Sequence, residues 1–334
     1  MNSIKSINFK NFNYRQWLME NSALVTLVAL VIIAILIQGD TFLNTRNIVN
    51  ILLNNAIIGI IAIGMTMIII IGGIDLSVGS LTAACGLVAL WVMNTTGNIF
   101  LGFMAAIAVG VVVGGINGTL ASRFRIPDFI VTLGMMRIIR SLSLHYARGG
   151  GIMIDRSPEL GVGGFLAFSG TRIFGGYLPL PVIYWLALAV LMTIVCNRTA
   201  LGRHMYAVGS NERAANLSAV NVKRVKTYIY MIAGALVGVA ALVEASRIGS
   251  MNSASSGTFY ELEAIAAVII GGTAISGGRG RIWGTVFGTL IIGVINNLMN
   301  LMQLPSFLVG AIQGTILILA VLLQQLASKK EKQF

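Results

Sequence analysis

Ten apolar stretches follow one another along this chain, at about 22–38, 48–71, 79–94, 99–121, 127–146, 177–196, 227–246, 260–275, 283–302 and 306–326. A membrane helix needs about 20 mostly apolar residues, because the hydrocarbon core is about 30 Å thick and a helix rises about 1.5 Å per residue. In lipid every backbone N–H and C=O must find its partner within the protein, which leaves helices and closed barrels. A barrel would alternate in segments of about ten residues. These runs are continuous, so the expected fold is all-α, a polytopic integral membrane helix bundle with about ten transmembrane helices. Two stretches, 79–94 and 260–275, are short for a full span. Composition agrees: 56% of the 334 residues are apolar and 10% charged, against about a quarter charged in ordinary soluble domains. That excludes a soluble enzyme, a disordered chain and a disulfide scaffold. Cys85 and Cys196 both lie in apolar runs and carry no spacing motif.

The net charge of +12 would suit nucleic acid if it were gathered on one face. It is instead scattered through the segments between apolar runs, so no nucleic-acid partner is expected and the lipid bilayer is. With the N-terminus inside, sixteen of the 23 Lys and Arg fall on inner segments, five on outer ones, and Arg137 and Arg140 within the fifth stretch. The excess of Lys and Arg on cytoplasmic loops then places both termini in the cytoplasm. The chain divides into a cytoplasmic N-terminal segment 1–21, a transmembrane domain 22–326 with a cytoplasmic loop 197–226, and a cytoplasmic tail 327–334. The first stretch lacks a small-x-small cleavage site and reads as a retained span.

No catalytic constellation is present. His145 and His204 lack metal-ligand spacing, and H-E-x-x-H, G-x-S-x-G and C-x-x-C are absent. The chain contains no Gly-Lys dipeptide and so no Walker A loop. ISGGRG at 275–280 mimics the signature loop of ABC ATPases but reads as a Gly-rich turn. Catalytic and metal residues are therefore expected to be none, and no cofactor is expected on this chain.

The inner loop, 197–226, holds a candidate short helix with Ser210 as cap and Glu212 in its first turn. Such a helix suits either the membrane surface or a groove on a soluble partner. IIGGIDLSVGS at 70–80 resembles IIGGTAISGGRG at 269–280, a hint of paired Gly-interrupted helices. The GxxxG pairs Gly110/Gly114, Gly114/Gly118, Gly234/Gly238 and Gly284/Gly288 allow close helix approach, within the chain or between subunits. Polar residues are also set deep in the apolar runs. Asn54, Asn55, Asp75, Asn117, Glu263, Asn296, Asn297 and Asn300 are candidates for a translocation path, with Glu244, Glu261 and Gln313 in similar settings. Amides there can bond the hydroxyls of a neutral polar solute or serve as glue between helices.

GGIDLSVGS (72–80), IPDFIVTLG (126–134), GRHMYAVGSNERAANLSAVNVKRVK (202–226) and EAIAAVIIGGTAISGGRGRIWGTVFGTLIIGVINNLMNL (263–301) together resemble the permease subunits of bacterial ABC monosaccharide importers, of the ribose type. The likeness runs from about residue 48 to the C-terminus. It implies an inner-membrane, multi-pass permease for a ribose-like pentose or hexose, paired with a second permease copy, identical or related. It implies a cytoplasmic ABC ATPase carrying ATP-Mg and an extracytoplasmic sugar-binding protein. It also implies that the short helix couples to the ATPase through Gly209, Asn211, Glu212, Ala214, Ala215 and Ser218. Branched-chain amino acid or nucleoside permeases of the same superfamily are the nearest alternative, and an ion-driven secondary transporter a more distant one.

Overall fold

A computed structural model describes residues 22–305 and, beyond them, 308, 310–312, 314–315, 318–319 and 321–322. The segments 1–21 and 327–334, Gln313 and much of the stretch at 306–326 lie outside the described residues. The chain is mostly helical. In order it forms α1 (Ser22–Leu43), α2 (Thr45–Ile70), α3 (Val78–Thr96), α4 (Ile99–Arg123), α5 (Asp128–Tyr146), β1 (Gly151–Met153), α6 (Ala167–Gly170), β2 (Arg172–Ile173), β3 (Leu178–Pro179), α7 (Leu180–Arg198), α8 (Ala200–Ser210), α9 (Glu212–Leu217), α10 (Val222–Ile248), β4 (Ser250–Asn252), α11 (Tyr260–Ile270) and α12 (Ile282–Leu301).

Among the described residues, seven helices are long and apolar enough to cross a membrane: α1, α2, α3, α4, α7, α10 and α12. The fifth expected stretch is α5, less apolar because it carries Asp128, Arg137 and Arg140. The expected short stretch 260–275 is helical over only part of its length. Its helix is only the 11 residues of α11, about 17 Å at about 1.5 Å per residue. Phe259 at φ 66 opens that helix and Gly272 at φ 88 turns the chain away after it. Before α11 the chain enters the bundle from β4 as a loop, and after it reaches Gly278 beside Ile70, so loop and helix traverse the bundle together. Gly257 is pressed onto the backbone of Gly79 at the start of α3, and Arg140 Nη1 donates to the carbonyls of Ser253 and Ser256, each at 2.9 Å. Irregular backbone at such depth is tolerated because protein groups satisfy it.

The core is built around α2, which is apolar all round and buried from Asn55 to Ile70. α10, α12, α11 and α7 pack against it. α4 and α10 meet backbone to backbone. A Cβ on Gly110 would collide with the carbonyl oxygen of Gly234, one on Gly234 with that of Gly110, and one on Gly114 with that of Tyr230. Gly271 and Gly284 face each other in the same way between α11 and α12. The GxxxG glycines thus serve packing within the chain.

The all-α expectation needs one small correction. Among the described residues there are two two-stranded antiparallel sheets, β1 with β4 and β2 with β3. The first pairs Gly151 with Asn252 and Met153 with Ser250, fastening the loop after α5 to the loop after α10.

The likeness between 70–80 and 269–280 extends to the backbone. After α2, Gly72 N–H donates to Ile69 O and Gly73 N–H to Ile68 O; after α11, Gly272 N–H donates to Ile269 O and Thr273 N–H to Val268 O. Glycine supplies the left-handed residue in each turn, Gly72 at φ 81 and Gly272 at φ 88. The two turned segments touch, with Gly278 N–H donating to Ile70 O at 2.8 Å.

Candidate functional site

Four segments meet at the end of the bundle opposite the β1–β4 sheet: the two Gly-Gly turns, the 124–128 corner and the 199–226 loop. The loop builds a helical elbow. Thr199 caps α8 by accepting from Gly202 N–H at 3.2 Å. Asn211, in extended backbone, ends α8 and caps α9 by accepting from Ala214 N–H at 3.0 Å. Ser210, expected as that cap, is instead the last residue of α8, because the amide one position later reaches the orphan N–H.

The expected coupling residues divide by surroundings. Asn211, Glu212, Ala214 and Ser218 are exposed on or beside α9, whereas Ala215 is buried. Gly209 faces inward against the carbonyl oxygen of Ile70 and the amide of Gly278, where no side chain fits. Gly209 therefore seats the elbow on the two turns. Tyr206 does the same from the preceding turn, its hydroxyl donating to Gly280 O at 2.9 Å. Burial pushes that phenol up to about 12, and nearby Cys196 adds to the shift, so the donor stays protonated at neutral pH. Leu217, an apolar residue of this short helix that lies outside the expected coupling set, ends α9 with 83% of its surface exposed. An apolar side chain bared on a short polar helix is the kind of anchor that fills a partner's pocket.

Between the 124–128 corner and the α9–α10 elbow lies an open cavity of about 980 Å3. Arg125, Arg213, Lys223 and Lys226 line it, with Asp128 and Glu212. Lys226 Nζ donates to Glu212 Oε2 at 2.8 Å. One helical turn further along α10, the Tyr230 hydroxyl donates to Asp128 Oδ2 at 3.0 Å.

The expected path residues are not gathered into one site. Asp75 and Asn117 come together: buried Asp75 accepts from the N–H and hydroxyl of Ser77, at 2.8 and 2.6 Å, and Asn117 Nδ2 donates to Ser77 Oγ at 3.0 Å. This network holds the start of α3. Asn297 exchanges two hydrogen bonds with Asn47, at 3.0 and 2.6 Å, joining α12 to the first turn of α2. Asn55 is buried against Gly293, its Nδ2 donating to Ile51 O at 2.7 Å. Asn54 and Asn300 are exposed, and Glu263 and Asn296 are half-buried. The sequence also undervalued Arg137. It lies at the middle of α5 and is exposed, as are Gly134 and Ser141 on the same side of that helix.

Among the described residues no group of His, Cys, Asp or Glu is placed to hold a metal ion.

Comparison with known proteins adds to this geometry. The profile of a family described as the branched-chain amino acid transport system / permease component matches residues 47–321. The ribose import permease protein RbsC of Escherichia coli K12 is 34% identical over 320 residues, covering 95% of this chain and 97% of that one. RbsC of Bacillus subtilis is 39% identical over 299 residues, covering 89% and 90%. The L-arabinose ABC transporter permease protein AraH of Azospirillum brasilense is 34% identical over 312 residues, covering 92% and 89%. No solved structure matches.

Proposed function

The chain belongs to the family of branched-chain amino acid transport system permease components, and from that premise we propose that it is the membrane permease subunit of an ATP-driven ABC importer for a monosaccharide such as a pentose or hexose. The observation that carries this reading is the near full-length similarity to ribose and arabinose permeases. The chain is a multi-pass inner-membrane protein and performs no covalent chemistry. The ribose-type importer is favoured over amino acid or nucleoside import because those relatives are sugar permeases.

In this reading both termini, with 1–21 and 327–334, lie in the cytoplasm, and 22–326 is the membrane domain. The stretches at 127–146, 260–275 and 306–326 add three crossings to the seven helices above, giving the even number that two cytoplasmic termini require. The elbow 197–226 then faces the cytoplasm. Lysine and arginine are dense there, as expected for that side. A cytoplasmic ABC ATPase supplies ATP-Mg and docks on α9 through Asn211, Glu212, Ala214, Ser218 and Leu217, with Gly209 and Ala215 holding the helix in place. A short exposed helix on a rigid seat can move only with its seat, so closure of the ATPase is passed to the bundle.

The exposed face of α5 lines the route. Arg137 stands at mid-helix, and a charge there cannot face lipid without a cost of about 2.5–3.5 kcal/mol. Water or a second permease copy, identical or related, therefore covers it. An extracytoplasmic binding protein delivers the sugar to the opposite mouth.

The test is Leu217→Arg. An exposed position tolerates the change within about 0.5 kcal/mol, so the chain should reach the membrane normally. The ATPase that co-purifies with the unaltered chain should no longer do so. Undiminished co-purification would count against docking on α9.

A further inference from the structure

We propose that Asp128 and Tyr230, with Lys226 beneath them, form the tie that passes movement of α9 to α5, so that these three are positioning residues for transport. The inference rests on the docking reading above and adds the route from the docked helix to the path helix.

The helices differ in how they are held. α4 and α10 interlock through glycine backbones and leave no room to slide. α5 has no such lock. Gly134, at its centre, has no atom within 4 Å of where a Cβ would sit, and α5 packs chiefly on α3. A helix with an open face and little backbone interlock is the element of the bundle able to shift.

Its inner end is fixed by polar contacts. Asp128, the first residue of α5, accepts from the Tyr230 hydroxyl of α10 at 3.0 Å. Gly73 closes over this bond: a Cβ there would collide with Asp128 Oδ2 and come within 2.8 Å of the Tyr230 oxygen. Gly73 thus covers the bond on one side, while Asp128 borders the open cavity on the other. Lys226 lies four residues before Tyr230 on the same face of α10, attracts Asp128 electrostatically, and is paired with Glu212 of α9 at 2.8 Å. The charges thus alternate from α9 through α10 to α5. When α9 is drawn by its partner, Lys226 and α10 follow, and Tyr230 carries the first turn of α5.

The test uses the complete transporter with its ATPase and binding protein, in proteoliposomes, with the variants Tyr230→Phe, Asp128→Asn and the two together. Three quantities are read: ATPase co-purification, ATP hydrolysis and labelled ribose taken up per ATP. Co-purification should be retained in all. Uptake per ATP should fall about tenfold, the factor that about 1.4 kcal/mol of lost coupling gives. The double variant should lose no more than the worse single one, because both changes remove the same bond. If either single variant fails to accumulate in the membrane, Lys226→Met carries the same test. Unchanged uptake per ATP with the ATPase still bound, or losses that multiply in the double variant, would overturn the tie. Failure of the unaltered chain to capture any ATPase would instead overturn the docking reading.

Discussion

Substituting alanine for glycine at two helix-interior positions separates steric packing from helix propensity. Gly234 in α10 and Gly134 in α5 are both interior, so alanine should favour the helix at each by about 1 kcal/mol. Their surroundings differ. The new methyl at 234 would overlap the carbonyl oxygen of Gly110 and lie 2.7 Å from the carbon of that carbonyl. The obstacle is backbone, which cannot rotate away, so α4 and α10 must part. Overpacking of this kind costs about 1–3 kcal/mol, and parting the helices also loosens the neighbouring contacts at Gly114 and Gly238. At 134 the methyl meets nothing within 4 Å. Gly234→Ala should therefore lower the apparent melting temperature of the detergent-purified chain by roughly 2–6 °C, and Gly134→Ala should leave it unchanged or raise it. Intrinsic fluorescence or size-exclusion after heating reads both. Equal behaviour of the two variants would refute the interlock of α4 with α10.

Further outcomes follow from the same contacts. Gly209→Val should remove α8 from its seat against the Ile70 carbonyl and sharply reduce the amount of folded chain, read as protease resistance of the 199–226 loop. Arg137→Cys should be labelled by a membrane-impermeant thiol reagent, while Val112→Cys on the apolar outer face of α4 should not; Cys85 and Cys196 are buried and give little background. Tyr206→Phe should cost about 1 kcal/mol by removing the bond to Gly280 O. The phenol is raised when folded to about 12, so its contribution is complete below the unfolded value of about 10 and is lost between about 10 and 12. Alkaline melting curves of wild type and Tyr206→Phe should accordingly converge across that window.

Much of the bundle was legible because apolar length is a direct reading of membrane thickness. The continuous runs at 48–71 and 99–121 became α2 and α4 within a few residues. The run at 260–275 is helical over only part of its length, which hydropathy alone does not reveal. Hydropathy registers apolar burial, and a short helix buried among other helices is as apolar as one that crosses lipid. The Gly271-Gly272 pair was the signal that it ends early. The glycine pairs were visible as motifs, but only geometry shows that Gly110 answers Gly234 rather than another subunit. The elbow was readable from its charges and small residues, though its cap shifted by one because serine and asparagine are near-equal caps. The deep amides were ambiguous by nature. Asn117 and Asn297 look alike in sequence, and only their partners, Ser77 and Asn47, show what each holds. The Asp128–Tyr230 bond joins residues 102 apart and leaves no local trace.

The most direct measurement of the central claim is uptake of labelled ribose into proteoliposomes holding this chain with its co-purified ATPase and binding protein. Uptake should require ATP inside the compartment that contains the ATPase, stop when the ATPase is omitted, and ignore an imposed proton or sodium gradient. Uptake by the chain alone, driven by such a gradient without ATP, would contradict the account.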